Sequence, residues 1–398
     1  MLRFKEGSWV SVIRVIGMDK KERKERAVFL KESRTKIFVA FLTIVACIFI
    51  AEFALRAAGR LPSNTTEGFF DQYGKSYRLK KNLTKIVNIP SYSYTLYTNS
   101  HGFRDEKPGV RKIGPDPYVV FLGDSMTFAN GVDYRQSFAG VFGRLAADEN
   151  VETINMAVGG HHLLEQQTVF LDFMSKAASY PAKVILCFSP ISIDGFDKSY
   201  SNILVKNGYL FEQSGWRLAY LRVLMGDSSA FYCFLRDNIR KIQAAHSNNK
   251  LLFAQTHLRF YRKDHRLTMP ENVAKFEAIL KEFDDFIRGL GAVPVYVYLP
   301  ASPDLKLNDL LLQTGDNPDN YDFLLPYRLL ETHCLENSIQ LINLMPVLKE
   351  RYDAGDQLNF MLDAHYNAQA NELIGTALYK AVFGEAASRR QADPPPSK

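Results

Sequence analysis

Tyr118-Val119-Val120-Phe121-Leu122-Gly123-Asp124-Ser125 decides how this chain is read: five apolar residues run straight into a Gly-Asp-Ser turn. An unbroken apolar run closed by glycine predicts a strand covered on both faces, as in a parallel sheet. Ser125 then falls at the carboxyl end of that strand, where open α/β sheets place their ligands. The turn lets the hydroxyl project, and the helix that follows would aim backbone N–H groups at incoming negative charge. Gly-Asp-Ser is also an ordinary helix cap. The chain carries its own control, Gly226-Asp227-Ser228, which follows no strand, precedes the helical run Phe231, Phe234 and Leu235, and reads as a cap.

Outward from this strand, β-like runs alternate with helical stripes between Tyr118 and Phe383. Strands are expected at Tyr118–Leu122, Glu152–Asn155, Lys183–Ser189, Val293–Leu299 and Gln340–Leu344. Phe138, Val141, Phe142, Leu145 and Ala146 form one helical stripe. Pro270 opens a second helix, with Val273, Phe276, Leu280, Phe283 and Ile287 on one face and Gly289 and Gly291 at its end. Asn367 is the expected N-cap of a last helix carrying Ala370, Leu373, Ile374, Ala377, Leu378, Ala381 and Val382. Strands alternating with helices imply right-handed crossovers: an α/β architecture of three layers, α/β/α, around a parallel sheet. Residues 198–269 read as an irregular insertion with short helices, a candidate lid or substrate wall.

Just before the last helix stands Asp363-Ala364-His365-Tyr366-Asn367. Side chains two positions apart on a loop can converge, so Asp363 can reach one ring nitrogen of His365 while the other faces Ser125. A hydroxyl, an imidazole to take its proton and a carboxylate to hold the imidazole are the parts of a nucleophilic hydrolase. Taken singly, Asp363 and His365 are ordinary loop residues. His161 and His162 follow Gly160; adjacent side chains diverge, so they do not chelate one metal, and one of them, His161, is a candidate pocket residue. Asp194 and Asp197 are candidate substrate contacts or plain loop acids. His257 and His265 lie in a basic, aromatic stretch that reads as a solvated face. No metal-ligand cluster and no Gly-rich nucleotide loop stands out, so no metal and no cofactor is expected.

The 398 residues carry a formal charge of +6, and residues 1–36 hold all of it, with eleven Lys/Arg against five acids. The rest is neutral overall, which leaves no basic surplus for gripping phosphates and argues against a nucleic-acid partner. Residues 1–36 thus read as a basic cytoplasmic tail. Ile37 to Leu55 is apolar except for Thr43 and Glu52. As a helix it spans about 28 Å at 1.5 Å per residue, close to the roughly 30 Å of a bilayer core. Residues 37–55 are therefore a single transmembrane anchor, with positive charge on the cytoplasmic side and everything after it exported. Ile44-Val45-Ala46-Cys47 is similar to a lipoprotein processing site, yet apolar residues continue past Cys47, which fits an uncleaved anchor better. Residues 56–110 form a lead-in packed against the main domain, 111–385 the catalytic domain, and 386–398 a disordered Pro-rich tail. Of four cysteines, Cys187, Cys233 and Cys334 read as buried thiols, too few for a disulfide framework.

These blocks resemble the SGNH (GDSL-type) hydrolase superfamily, in particular its membrane-anchored bacterial branch. Gly123–Val132 matches the family's first block, Ile154–His162 resembles the second, and Asp363, His365 and Asn367 match the last. Thr98–Glu106 and the anchor ending in Glu52 and Arg56 resemble the branch's lead-in. The resemblance covers most of residues 37–383 and implies a flavodoxin-like sheet with one N-terminal transmembrane helix. It further implies Ser125 as nucleophile, His365 as general base and then acid, and Asp363 as the orienting carboxylate. Ser125 and Gly160 would supply N–H groups to the oxyanion hole. One departure stands out: where the family places an oxyanion-donating Asn after the third strand, this chain reads Cys187-Phe188-Ser189-Pro190-Ile191-Ser192-Ile193-Asp194. Ser192 is the nearest substitute by position, either an oxyanion donor or a strand-end cap.

Three functions stay open on the residues. The first is a membrane-anchored extracytoplasmic serine esterase, sited on the inner (cytoplasmic) membrane and facing the periplasm, with acylated glycans or small esters as substrates. The second is an O-acyltransferase working beside envelope polysaccharide machinery. The third is a catalytically silent envelope scaffold, motivated by the absent Asn.

Overall fold

The computed structural model describes residues 20–60, 62, 68–89, 92–109, 117–198, 203–246, 249–360 and 363–384. The start of the basic tail and the whole Pro-rich tail, 386–398, lie outside the described residues. The chain divides into two compact units: one takes in the described part of Met1–Ser63 with Met225–Ile239, the other the remainder.

The larger unit is built on one eight-stranded sheet. In chain order the strands are β1 (Phe70–Tyr73), β2 (Ser76–Leu79), β3 (Thr84–Ile89), β4 (Tyr92–Thr98), β5 (Arg104–Asp105), β6 (Tyr118–Leu122), β7 (Glu152–Asn155), β8 (Lys183–Phe188), β9 (Ile203–Lys206), β10 (Tyr209–Glu212), β11 (Val293–Tyr298) and β12 (Gln340–Asn343). The sheet runs β12-β11-β8-β6-β7-β5-β4-β3. Its first five members pair in parallel, and β5, β4 and β3 join antiparallel. The sheet is thus mixed, and its antiparallel wing comes from the lead-in of residues 56–110. Alternation in β4 explains the wing: Tyr94, Leu96 and Thr98 are buried while Ser93, Thr95 and Tyr97 are less so.

β6 lies at the centre and is buried along its whole length. Val119 and Phe121 face the helices Phe138–Ala146 and Ala368–Phe383, packing with Phe138, Phe142, Ile374 and Leu378. Val120 and Leu122 face the opposite layer, with Phe170, Phe276, Phe283 and Leu330 from three further helices. One strand therefore feeds two cores, the reason its sequence is apolar without alternation. Truncating Phe121 at this junction would cost about 3–5 kcal/mol.

The insertion is more ordered than its sequence suggested. β9 and β10 form a hairpin whose turn residues Asn207 and Gly208 both have positive φ, 52° and 89°. Asn-Gly is the favoured pair for such a turn. Gln72 ties the hairpin to β1 by donating to Ile203 O (3.2 Å) and accepting from Val205 N (2.9 Å). Helices Trp216–Ser228, Ala230–His246 and Asn249–Leu258 follow. The basic aromatic stretch is not a solvated face, because Leu258, Phe260 and Tyr261 are buried.

In the smaller unit a helix runs from Lys20 to Ala57, and Lys31–Ala57 is long and apolar enough to cross a membrane. It starts well ahead of Ile37 because the Lys/Glu-rich leader is helix-favouring. Cys187, Cys233 and Cys334 are buried free thiols, and Cys47 is exposed.

Candidate active site

Ser125 is the first residue of a short helix, Ser125–Phe128, that begins beyond the end of β6. Asp124 caps it, accepting Met126 N–H at 2.9 Å. Gly123 is required here: a β-carbon on it would sit 2.0 Å from Thr127 Oγ1. Ala129 ends the helix in the left-handed region. The chain then turns through Asn130, Gly131 and Val132 under the grip of Arg104. This arginine is buried, donates to the carbonyls of Phe128, Ala129 (2.7 Å) and Val132, and lies over the Phe128 and Tyr94 rings. The lead-in residue Arg104 thus fixes the backbone that follows Ser125.

The Asp-His loop is tied down as firmly. Asp363 Oδ1 accepts both His365 Nδ1 at 2.5 Å and the His365 backbone N–H at 2.8 Å. Asn359 Nδ2 donates to Ala364 O at 2.8 Å, Tyr366 donates its hydroxyl proton to Pro300 O, and Asn367 Oδ1 caps the last helix through Ala370 N. Burial would raise the Asp363 pKa, but the hydrogen bond from His365 and its charge hold it below the usual 3.8. The carboxylate is thus kept ionised next to the ring.

These two segments, some 240 positions apart, meet. Phe360, whose N–H donates to His365 O, packs so closely on Gly131 that a β-carbon there would lie 2.3 Å from its ring. Gly131 also has φ +98°, where side chains are strained. Electrostatics agree. Burial pushes the Asp124 pKa up, and among the groups that oppose it are Met126 N–H, the Ser189 hydroxyl (2.9 Å) and the charges of His365 and His162. Both imidazoles therefore act on the carboxylate adjoining Ser125.

The Gly159-Gly160 turn lies against the serine. A β-carbon on Gly159 would be 3.7 Å from Ser125 Cβ and 3.9 Å from Asn130 Nδ2. Gly160 has φ +83°, and the Tyr77 hydroxyl donates to Gly159 O at 2.9 Å, orienting the turn. Tyr94 donates to Asn130 Oδ1 at 3.3 Å, and the Nδ2 end of the amide lies on the side of Gly159. No Asn follows the third strand, where the resemblance implies one. A buried Asn stands here instead, five residues after the serine, within the very block quoted as Gly123–Val132.

Three candidates are otherwise engaged. Ser192 Oγ gives its proton to Ser189 O (2.8 Å) and accepts Ser189 N–H (2.7 Å), so it closes the capping box of the helix that Ser189 caps and has no proton for an oxyanion. Asp194 is buried, accepts from Lys198 (3.0 Å) and faces His265 Nε2 at 3.2 Å. Burial alone would raise its pKa, but these partners hold it well below the carboxylate range. It is committed to an internal ion cluster rather than presented to substrate. His161 is buried with its ring edge-on to Tyr77 and its Nε2 donating to Tyr77 O at 3.0 Å; burial lowers its pKa to about 4, keeping it neutral. His162 is the one of the pair turned to the site. Its ring packs on Gly195, where a β-carbon would come within 2.2 Å of Nδ1, and Asp124 and Asp194 both act on it.

A cavity of about 790 Å³ adjoins Asp363, with Phe253, Lys306, Tyr352, Phe360 and Ala364 in its wall. Phe253 is the insertion's contribution. Among the described residues, no group of three or more His, Cys, Asp or Glu is placed to hold a metal ion.

No family model and no curated protein matches the chain. Solved structures do. A lipolytic protein of the G-D-S-L family from Veillonella parvula is 12% identical, with 66% of this chain and 96% of that one covered at a TM-score of 0.37. A psychrotrophic esterase from Pseudoalteromonas sp. is 12% identical, covering 70% and 100% at 0.36. A catalytic mutant of an acetylxylan esterase from Geobacillus stearothermophilus is 10% identical, covering 69% and 98% at 0.39. Each is a similarity at 10–12% identity and a TM-score below 0.4.

Proposed function

We propose that this chain is a membrane-anchored, extracytoplasmic serine esterase that removes O-acyl groups from glycans. The 2.5 Å contact between Asp363 and His365, on a loop packed against the turn that follows Ser125, carries the reading. With Nδ1 held by the carboxylate, Nε2 of His365 is the nitrogen left to take a proton. Ser125 Oγ attacks the ester carbonyl carbon as His365 removes its proton, and the carbonyl π pair moves onto oxygen. The N–H groups of Ser125 and Gly160 receive that oxyanion, and the Asn130 amide supplies the third donor in place of the family's Asn. Collapse expels the sugar hydroxyl, which takes the proton from His365. Water, deprotonated by the same ring, then cleaves the acyl-enzyme, releasing the acid and restoring Ser125.

The test is acid release from acetylated oligosaccharides and from a simple aryl acetate by the full chain in detergent. Turnover lost in Ser125→Ala supports hydrolysis. The cavity beside Asp363 motivates a second reading, in which a sugar hydroxyl rather than water resolves the acyl-enzyme. Turnover that appears only when a glycan acceptor is added selects that reading. Absence of both reactions and of any acyl-enzyme leaves the scaffold.

A further inference from the structure

The anchor carries one acid in its apolar run, and an ionised carboxylate within a membrane span is costly unless it is paired. In the smaller unit that acid has a complete set of partners. Glu52 Oε1 accepts Ala230 N–H at 3.0 Å; Oε2 accepts Phe231 N–H at 2.8 Å and the Ser229 hydroxyl at 2.9 Å. Arg56 pairs with Glu52 at 2.6 Å and donates to Ser228 O at 2.7 Å. The Arg60 guanidinium lies 5.6 Å from the Phe234 ring centre. The anchor's end therefore caps the first turn of helix Ala230–His246, and that helix starts within about one turn, roughly 5 Å, of where the apolar run stops.

What the helix exposes at that depth is apolar. Phe234 (39%), Leu235 (46%) and Ile239 (45%) are open, as is Met225 (39%) just before it. Phe231, Phe234, Leu235 and Ile239 follow helical spacing and form one stripe, while Arg236 and Asp237 pair with each other at 2.9 Å. The stripe continues the surface of the anchor itself, whose Phe49, Ile50 and Phe53 are still more exposed. An apolar stripe latched to the end of a membrane span fits hydrocarbon, because lipid there is already the anchor's neighbour.

We propose that Met225–Ile239 is a second membrane contact: a helical start held by Glu52 and lying in the interface with Phe234, Leu235 and Ile239 among the acyl chains. The inference rests on the anchor spanning a bilayer. Two single-tryptophan variants of the full chain test it, Phe41→Trp in the anchor and Leu235→Trp in the stripe, each with Trp9 and Trp216 replaced by Phe. Both positions are exposed, so neither substitution disturbs a core. In proteoliposomes, phospholipids brominated near the headgroup or near the chain end report depth by quenching. The expected result is deep quenching at position 41, and at position 235 shallow quenching that corresponds to about 5–10 Å below the boundary. A tryptophan at 235 untouched by either lipid, beside a quenched one at 41, overturns the inference and leaves the anchor standing. That is also the outcome if a second copy of this chain covers the stripe. No quenching at either position overturns the anchor and this inference with it.

Discussion

Replacing Asp363 by Asn removes one charge and little else. The same oxygen, Oδ1, accepts both the His365 ring and the His365 backbone N–H, and an amide oxygen can keep both contacts. What disappears is the negative charge facing the imidazolium that forms when Ser125 is deprotonated. Taking the charge centres about 4 Å apart, slightly beyond the nitrogen–oxygen contact, and an effective dielectric near 20, the lost attraction is ~4 kcal/mol. At about 1.4 kcal/mol per factor of ten, kcat falls roughly a thousandfold. A wrong imidazole tautomer, if the amide turns its nitrogen to the ring, would extend the loss to about 10⁴. Because the carboxyl titrates below its usual 3.8, it carries its charge at neutral pH, where the comparison is made. The assay is steady-state hydrolysis of an aryl acetate, with circular dichroism to verify the fold and KM expected to change little. A loss of less than tenfold in a folded variant refutes the assignment of Asp363 to the reaction.

Other expectations follow from particular contacts. Asn130→Ala should lower kcat by about 100- to 1,000-fold with KM nearly unchanged, whereas Ser192→Ala should cost only about 1 kcal/mol of stability and leave kcat intact; the reverse pattern would return the oxyanion role to Ser192. Gly131→Ala forces Phe360 away and meets a left-handed backbone, so activity and melting temperature should both fall, with partial recovery of activity in Gly131→Ala/Phe360→Ala. His161 is neutral when folded, with its pKa lowered from 6.5 to about 4. The unfolded chain therefore binds the extra proton between those values, and stability should drop by about 3 kcal/mol as pH falls from 6.5 to 4. Calorimetry across that range should show a shallower slope for His161→Gln; an unchanged slope would place the titration elsewhere.

How much of this was legible in the sequence depended on whether the signal was local. β6 announces itself because it is apolar throughout, and the last helix because Asn367 caps it and its stripe repeats. The antiparallel wing was missed because Tyr, Thr and Ser in β4 look like loop polarity unless their alternation is followed. The β9–β10 hairpin carries a local signal in its Asn207-Gly208 turn, but its strands are only four residues long. Asp194, Ser192 and His161 looked available because sequence shows a side chain's chemistry but not what already occupies it. Lys198, His265, Ser189 and Tyr77 fill those sites, and all but Tyr77 reach them through loops or insertion segments without periodic pattern. Asn130 was hidden for a different reason. It stands inside the first block, and only the folded chain brings Gly159 beside both Ser125 and the Asn130 amide.

The account stands on Ser125 being a nucleophile activated by His365. Treat the full-length chain with a fluorophosphonate and determine the adduct's position by peptide mass spectrometry. Labelling at Ser125, lost in Ser125→Ala and strongly slowed in His365→Ala, is the predicted result. A folded protein that takes no label, or takes it at another residue, contradicts the central claim.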